Sequence, residues 1–147
     1  MNRTTVTEQI IESKIRKGIK WSDVAAELGT RKEWATTACL GQMTLSAEQA
    51  EKIAALFDLP GDAVTILQTP PLRGQNEAAI AADPLVYRLR EIVAVYGPTI
   101  KELIHEEFGD GIMSAIDFRM ALNRREDPAG DRVELVLSGK YLPYPGS

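Results

Sequence analysis

An arginine and a glutamate three residues apart form the first pair in this sequence whose chemistry suits a small anion. Arg88 and Glu91 lie in a stretch whose apolar spacing predicts a helix, so their side chains share one face. The simpler interpretation is a surface ion pair worth about 0.3–0.5 kcal/mol, and the spacing alone favours it. The functional alternative is an arginine held in place by a carboxylate, because the planar guanidinium fits planar, carboxylate-like anions.

A serine that follows a glycine turn is the second candidate. Ser114 comes three residues after Gly109-Asp110-Gly111. It alternates in register with Ile116 and Phe118, which predicts a polar group on an apolar strand face. A buried hydroxyl needs a hydrogen-bond partner, and a nearby backbone carbonyl is the simpler prediction. Alternatively, the hydroxyl and adjacent backbone N–H groups receive an anion beside the turn.

Other kinds of site have little support in the sequence. The chain has one histidine and one cysteine, and it has no CxxC pair, glycine-rich phosphate loop or supported Ser-His-Asp arrangement. No metal centre or cofactor is therefore expected. His105, beside Glu106 and Glu107, is interpreted as a solvated or capping residue, and Cys39 as a packed small hydrophobe.

Composition and charge limit the class of protein. The 147 residues are 44% hydrophobic and 26% charged, which is typical of a globular protein. No apolar run approaches the roughly 20 residues of a membrane span, the N-terminus lacks the features of a signal peptide, and one cysteine fits a reducing compartment, so a cytoplasmic protein is expected. Residues 1–60 are neutral and residues 61–147 carry the whole net charge of −4, which disfavours a nucleic-acid partner.

The first sixty residues predict four short helices separated by glycine turns, a pattern typical of a helix-turn-helix bundle. Thr7 is the expected cap of the first helix, and Gly29 ends the second. A third helix is expected from about residue 31 to 40, and Ser46 opens the fourth. Residues 60–84 contain several prolines and glycines and are interpreted as a packed connector, with a domain boundary near residue 75.

The remaining residues predict helices followed by a hairpin. Asp83-Pro84 starts a helix that is expected to end at Gly97-Pro98, and Thr99 is expected to cap a shorter one. From Ser114 the apolar period changes to two, and Asp127-Pro128-Ala129-Gly130 suits a type I turn before a returning strand. Because a lone hairpin is marginal in water and exposes its edges, pairing with another subunit is favoured.

Several motifs at fixed separations resemble those of the cyanase family, also called cyanate hydratase or cyanate lyase. The resemblance covers essentially the full length, although the N-terminal bundle is less distinctive. The residues that carry it are Tyr87-Arg88-x-x-Glu91, His105-Glu106, Phe108-Gly109-Asp110-Gly111-Ile112, Ser114-Ala115-Ile116 and Gly139-Lys140-Tyr141-Leu142-Pro143.

The resemblance implies an α+β fold. Its N-terminal part, residues 1–75, would be a helical bundle like the lambda-repressor helix-turn-helix domain that does not bind DNA. Residues 76–147 would form a catalytic and dimerisation domain whose hairpin interlocks with a partner subunit, within a homodecamer of five dimers. The family's catalytic arginine, glutamate and serine fall on Arg88, Glu91 and Ser114. The implied reaction combines cyanate with bicarbonate and uses neither a metal nor a cofactor.

Two other functions stay open at this point. The first is a transcription regulator that reads DNA with the helix at residues 31–40, but this segment offers no Asn or Gln and no second basic cluster for base edges. The second is a structural oligomeric scaffold, for which the match at Arg88, Glu91 and Ser114 would be coincidence. A gel shift tests the regulator, and an absence of turnover would favour the scaffold.

Overall fold

The computed structural model of the protein describes residues 1–74 and 77–146, which form seven helices and one antiparallel hairpin. The chain divides into an N-terminal unit, residues 1–75, and a C-terminal unit, residues 76–147. The elements are α1 (Arg3–Lys17), α2 (Trp21–Leu28), α3 (Lys32–Cys39), α4 (Ala47–Leu56), α5 (Asp62–Leu67), α6 (Glu77–Ala82), α7 (Pro84–Phe108), β1 (Gly111–Arg125) and β2 (Arg132–Pro143).

The helices of the N-terminal unit surround one apolar core. Capping residues start two of them: Asn2 accepts the N–H of Thr5, and Ser46 forms a capping box with Gln49. The expectation that Thr7 caps the first helix was wrong, because Asn2 is also a good cap and lies five residues earlier. The core residues are Val6, Ile10, Val24, Ala25, Leu28, Ala35, Ala38, Cys39, Leu45, Ala50, Ile53, Phe57, Ala63 and Leu67.

The bundle has five helices in the described residues, one more than the sequence predicted. Residues 62–67, interpreted as part of a connector, form α5 and bury Ala63 and Leu67 in the core. Prolines on both sides made this segment resemble a connector. In addition, a helix of about two turns is too short to show a clear apolar period. The following segment is held to the N-terminal unit by Gln42, whose carbonyl accepts from Arg73 Nε and whose side chain accepts from the N–H of Gly74.

Arg3, in α1, contacts the ends of two other helices of the N-terminal unit. Its two terminal nitrogens donate to the carbonyls of Ile66, Leu67, Ala38 and Met43 at 2.8–3.3 Å. Two of these carbonyls lie in the last turn of α5 and one in that of α3, where helix carbonyls lack intrahelical partners. Three of the four carbonyls also accept a backbone N–H, those of Ile66, Leu67 and Ala38, so the guanidinium gives them a second donor.

Helix α7 dominates the C-terminal unit. Asp83 caps it by accepting the N–H groups of Leu85 and Val86, as Asp83-Pro84 predicted. The helix continues through Pro98 to Phe108, so the expected break at residues 97–98 was wrong. A proline removes one helix hydrogen bond and bends the helix, but it does not have to end it.

The hairpin pairs β1 with β2 in antiparallel register, and Gly130 closes its turn by donating its N–H to the Asp127 carbonyl at 3.0 Å. Met113 pairs with Tyr141 and Phe118 pairs with Gly139. Residues 114–117 therefore stand opposite the single residue 140. We refer to these four residues as the 114–117 bulge. Its extra residues break the regular alternation that the sequence predicted across this part of the strand.

The C-terminal unit has almost no core of its own. Of its described residues, 77–146, only Gly111 and Ser114 are buried. Large apolar side chains lie open along α7 and the hairpin, among them Leu85, Val93, Ile100 and Val133. No helix in the described part of the chain is long and apolar enough to cross a membrane. An apolar surface of this extent is typical of a face that packs against another protein chain.

Candidate functional site

Arg88 and Glu91 lie one turn apart on α7 and contact each other. Nη1 of Arg88 lies 3.4 Å from Oε2 of Glu91, and both side chains are more than half exposed. The arginine also lies near the ring of Tyr87, 5.7 Å from its centroid. The predicted pairing is confirmed, and one edge of the guanidinium is turned toward the carboxylate. The remaining N–H groups of Arg88 are available to an anion.

Ser114 is the one hydroxyl-bearing residue that is buried in the described part of the C-terminal unit, with 8% of its surface exposed. Its Oγ accepts the backbone N–H groups of Ile116 at 3.1 Å and Asp117 at 2.9 Å. A hydroxyl oxygen has two lone pairs and one hydrogen, so accepting twice leaves the hydrogen as the group free to donate.

This arrangement corrects two expectations about Ser114. Within residues 1–74 and 77–146, the hydroxyl has no carbonyl partner, and its oxygen accepts from two amides of its own bulge. The alternative prediction, an anion held by the hydroxyl and by amides beside the glycine turn, stays a prediction. The expected shared face is also wrong: Ile116 is 98% exposed while Ser114 is buried, because the bulge turns the chain between them.

The glycine turn before Ser114 is fixed by β2. The hydroxyl of Tyr141 donates to the carbonyl of Gly109, and the Tyr141 ring packs against Phe108 with centroids 5.0 Å apart. A Cβ on Gly111 would meet the Tyr141 ring at 2.7 Å, so only glycine lets the strands approach this closely. Partial burial raises the pKa of the Tyr141 hydroxyl, and the negative charge of Asp110 adds to the rise.

His105 links the end of α7 to the same turn. A carbonyl can only accept, so the contact of Nε2 with the Gly111 carbonyl at 3.3 Å places the ring hydrogen on Nε2. Nδ1 then accepts from the ammonium of Lys101 at 3.1 Å. The sequence predicted a solvated or capping residue, and the half-buried His105, which contacts the turn at the end of α7, agrees with the second alternative. The four-residue spacing of Lys101 and His105 was the signal in the sequence for this contact.

The candidate residues do not all meet within one chain. Arg88 and Glu91 form a pair on α7, and Ser114 lies in the bulge of β1. Among the described residues, Ser114 makes no hydrogen bond to either of them. No group of three or more His, Cys, Asp or Glu side chains in residues 1–74 and 77–146 is placed to hold a metal ion.

Comparison with known proteins covers both units. A family model described as the N-terminal domain of cyanate hydratase matches residues 3–71, and one described as the cyanate lyase C-terminal domain matches residues 78–146. The chain belongs to the cyanate hydratase family. Relatives named cyanate hydratase from Methylobacillus flagellatus and Polynucleobacter asymbioticus are 60% and 59% identical over 144 residues, which is 98% of each chain.

A solved structure of the family agrees with the fold. The crystal structure of cyanase from T. urticae is 38% identical in sequence, with a TM-score of 0.83 over 95% of this chain and 97% of that one. Membership of the cyanate hydratase family confirms the resemblance carried by the motifs at Arg88, Ser114 and Gly139. The α+β architecture, a helical bundle followed by helices and a hairpin, is confirmed as well.

Proposed function

We propose that this protein is a cyanate hydratase that uses bicarbonate as its second substrate and releases ammonia and carbon dioxide. A bicarbonate oxygen bonds to the cyanate carbon, and the bond from that oxygen to the bicarbonate carbon then breaks, which expels carbon dioxide. One proton taken up in this sequence leaves carbamate, H2N–COO⁻. Carbamate takes up a second proton and decomposes to ammonia and carbon dioxide without further catalysis.

The observation that carries the proposal is the hydroxyl of Ser114. It stands where the resemblance places the family's serine, it is buried, and both lone pairs are occupied by backbone amides. The oxygen is therefore a poor nucleophile, while its hydrogen is held ready to donate. We assign Ser114 to hydrogen bonding with an anionic substrate, because a fixed donor needs no reorganisation when charge develops.

Arg88 is assigned to binding and neutralising the anions. Bringing cyanate and bicarbonate together in water costs entropy. Because both are monoanions, they also repel each other. A guanidinium offers several N–H donors in one plane and stays charged at all relevant pH values. Glu91 is assigned to orienting Arg88, since a free carboxylate beside two anions would repel them. Their contact of 3.4 Å supports this role.

We infer that several copies of the chain build the site. Among the described residues, no hydrogen bond joins Ser114 to Arg88 or Glu91. In the described part of the C-terminal unit, only Gly111 and Ser114 are buried. The exposed apolar side chains of α7 and the unpaired edges of a two-strand sheet both favour association. A homodecamer of five dimers, as the family resemblance implies, would bring copies of Arg88 together and strengthen the positive potential.

No cofactor, metal or nucleic acid is assigned to the reaction, and the cytoplasm is the proposed location. The roles above need only hydrogen bonds and charge. The core of the N-terminal unit includes the single cysteine, Cys39, as a buried free thiol, which fits a reducing compartment.

The test is ammonia release from cyanate by the purified, assembled protein in carbonate-depleted buffer, with and without added bicarbonate. We expect release that depends on bicarbonate and that stops when either substrate is left out. A folded, assembled sample that releases no ammonia under either condition would contradict the proposal. Release that ignores bicarbonate would contradict the role of the second substrate alone.

A further inference from the structure

The backbone of Gly139 lies against the backbone of Ser114. A Cβ built on Gly139 would collide with the carbonyl oxygen of Ser114 and would lie 2.5 Å from Cγ of Met113. The φ angle of Gly139 is outside the left-handed region, so an alanine could adopt this backbone conformation. The requirement for glycine at residue 139 is therefore space beside the 114–117 bulge.

We propose that Gly139 is a positioning residue for Ser114, an inference that rests on the function proposed for Ser114 above. Met113, just before the bulge, pairs with Tyr141. Phe118, just after the bulge, pairs with Gly139. The bulge is thus held between two fixed points of β2. Because Gly139 has no side chain, the Ser114 carbonyl can pack directly against the backbone of β2.

Displacement of that carbonyl changes the direction of the hydroxyl. The Oγ of Ser114 is bound to the N–H groups of Ile116 and Asp117, which belong to the same four-residue bulge. A methyl group at residue 139 pushes on the Ser114 backbone, so the hydroxyl and the two amides can no longer keep their present geometry. The flexible side chain of Met113 can move away, whereas the Ser114 carbonyl is part of the strand.

The first arm of the experiment measures ammonia release by the assembled Gly139→Ala variant. We expect kcat/KM to fall by about tenfold to a hundredfold. Whichever of kcat and KM changes in Ser114→Ala should also change in Gly139→Ala. The matched control is Gly61→Ala, where a Cβ meets nothing within 4 Å and φ is −61°. The control is expected to keep the activity of the unchanged protein and the same oligomeric state.

A double-mutant cycle separates positioning from a general effect on the fold. In a Ser114→Ala background, Gly139→Ala should cost less than about twofold, because the hydroxyl that it positions is already gone. Full additivity of the two losses would overturn the proposal. Recovery of activity in a Gly139→Ala, Met113→Ala double variant would also overturn it, since Met113 packing rather than the Ser114 carbonyl would then be the obstacle.

The second arm needs no turnover. Hydrogen exchange measured by mass spectrometry on peptides spanning residues 114–118 reports the Ile116 and Asp117 amides directly. We expect exchange in Gly139→Ala to be faster by about fivefold, the loss of one ordinary hydrogen bond, and unchanged in Gly61→Ala. Unchanged exchange in Gly139→Ala would overturn the proposal. If the unchanged protein releases no ammonia, the proposed function fails, and the exchange measurement still decides the role of Gly139.

Discussion

Nη1 of Arg88 and Oε2 of Glu91 lie 3.4 Å apart, one helical turn from each other on a largely exposed face of α7. An exposed pair of this kind stabilises a helix by at most about 1 kcal/mol. In the function proposed above, the contact serves to direct the guanidinium toward the anions. Arg88, which is proposed to bind the anions, and Glu91, which is proposed to orient Arg88, should therefore respond differently to replacement.

Replacement of Arg88 by lysine should remove most of the activity. Lysine keeps the charge but not the planar set of donors, so about 1.5–3 kcal/mol of anion binding is lost, or roughly ten- to a hundredfold in kcat/KM. The measurement is bicarbonate-dependent ammonia release, with size-exclusion chromatography to confirm assembly. Arg90→Lys, two residues along the same helix, is the control and should stay active. Full activity of Arg88→Lys would refute the assignment.

The Glu91→Gln variant distinguishes an orienting carboxylate from one that transfers a proton. Glutamine retains a carbonyl that can accept from Arg88, so we expect a loss of about tenfold with an unchanged shape of the pH–rate profile. If Glu91 instead transferred a proton in the rate-limiting step, the limb of the profile that reports its ionisation would disappear. The profile of kcat/KM against pH is the measurement.

Arg3 should stabilise the N-terminal unit without taking part in the reaction. Arg3→Lys removes the planar set of donors that reaches four carbonyls at once, and the loss of several of these hydrogen bonds should cost about 2–3 kcal/mol of the free energy of unfolding. Both tryptophans, Trp21 and Trp34, lie in this unit, so their fluorescence during urea denaturation reports it selectively. Arg16→Lys, an exposed surface arginine, is the control. Equal stability of the two variants would show that the contacts of Arg3 contribute little.

Cys39 should resist alkylation in the native protein. Burial raises the pKa of its thiol to about 12 from an ordinary value of 9.0, and Arg3 offsets this only in part. Because reagents attack the thiolate, iodoacetamide should react about a thousandfold more slowly at pH 8 with the native protein than with the unfolded one.

The same shift in the pKa of Cys39 makes stability depend on pH in a defined direction. Above pH 9.0 the unfolded thiol ionises while the native thiol stays protonated, so this contribution to the free energy of unfolding falls as pH rises toward 12. Comparison with Cys39→Ala, in which that contribution is absent, isolates it from other groups. Parallel curves for the two proteins would contradict the shift.

Local signals in the sequence predicted several ends of elements, although the end expected at Gly97-Pro98 was wrong. Ser46 and Asp83 cap their helices as expected, Gly29 ends α2, and the turn at residues 127–130 closes as a hydrogen-bonded turn. Each of these depends on a few neighbouring residues, so the sequence contains the whole signal. Where two local signals competed, as with Asn2 and Thr7, the choice between them was wrong.

The 114–117 bulge and the need for glycine at residue 139 could not be predicted from neighbouring residues in the sequence. The alternation from Ser114 onward fits a regular strand, and the extra residues become visible only when Met113 and Phe118 are paired with their partners on β2. The need for glycine at residue 139 arises from a residue 25 positions earlier in the chain, a contact that no period in the sequence encodes. The resemblance supplied Arg88, Glu91 and Ser114 as candidates, whose roles stay predictions.

The contrast between a filled apolar core in residues 1–75 and only two buried residues in the described part of residues 76–147 bears on how the chain reaches its working form. The N-terminal unit can fold by a first-order reaction, at a rate independent of how many chains are present. In the proposed assembly, the C-terminal unit buries its apolar side chains against other copies, so its maturation would be of higher order and would slow on dilution. Under that proposal, a newly made chain has a folded N-terminal unit, and its C-terminal unit stays incompletely packed until enough copies have accumulated.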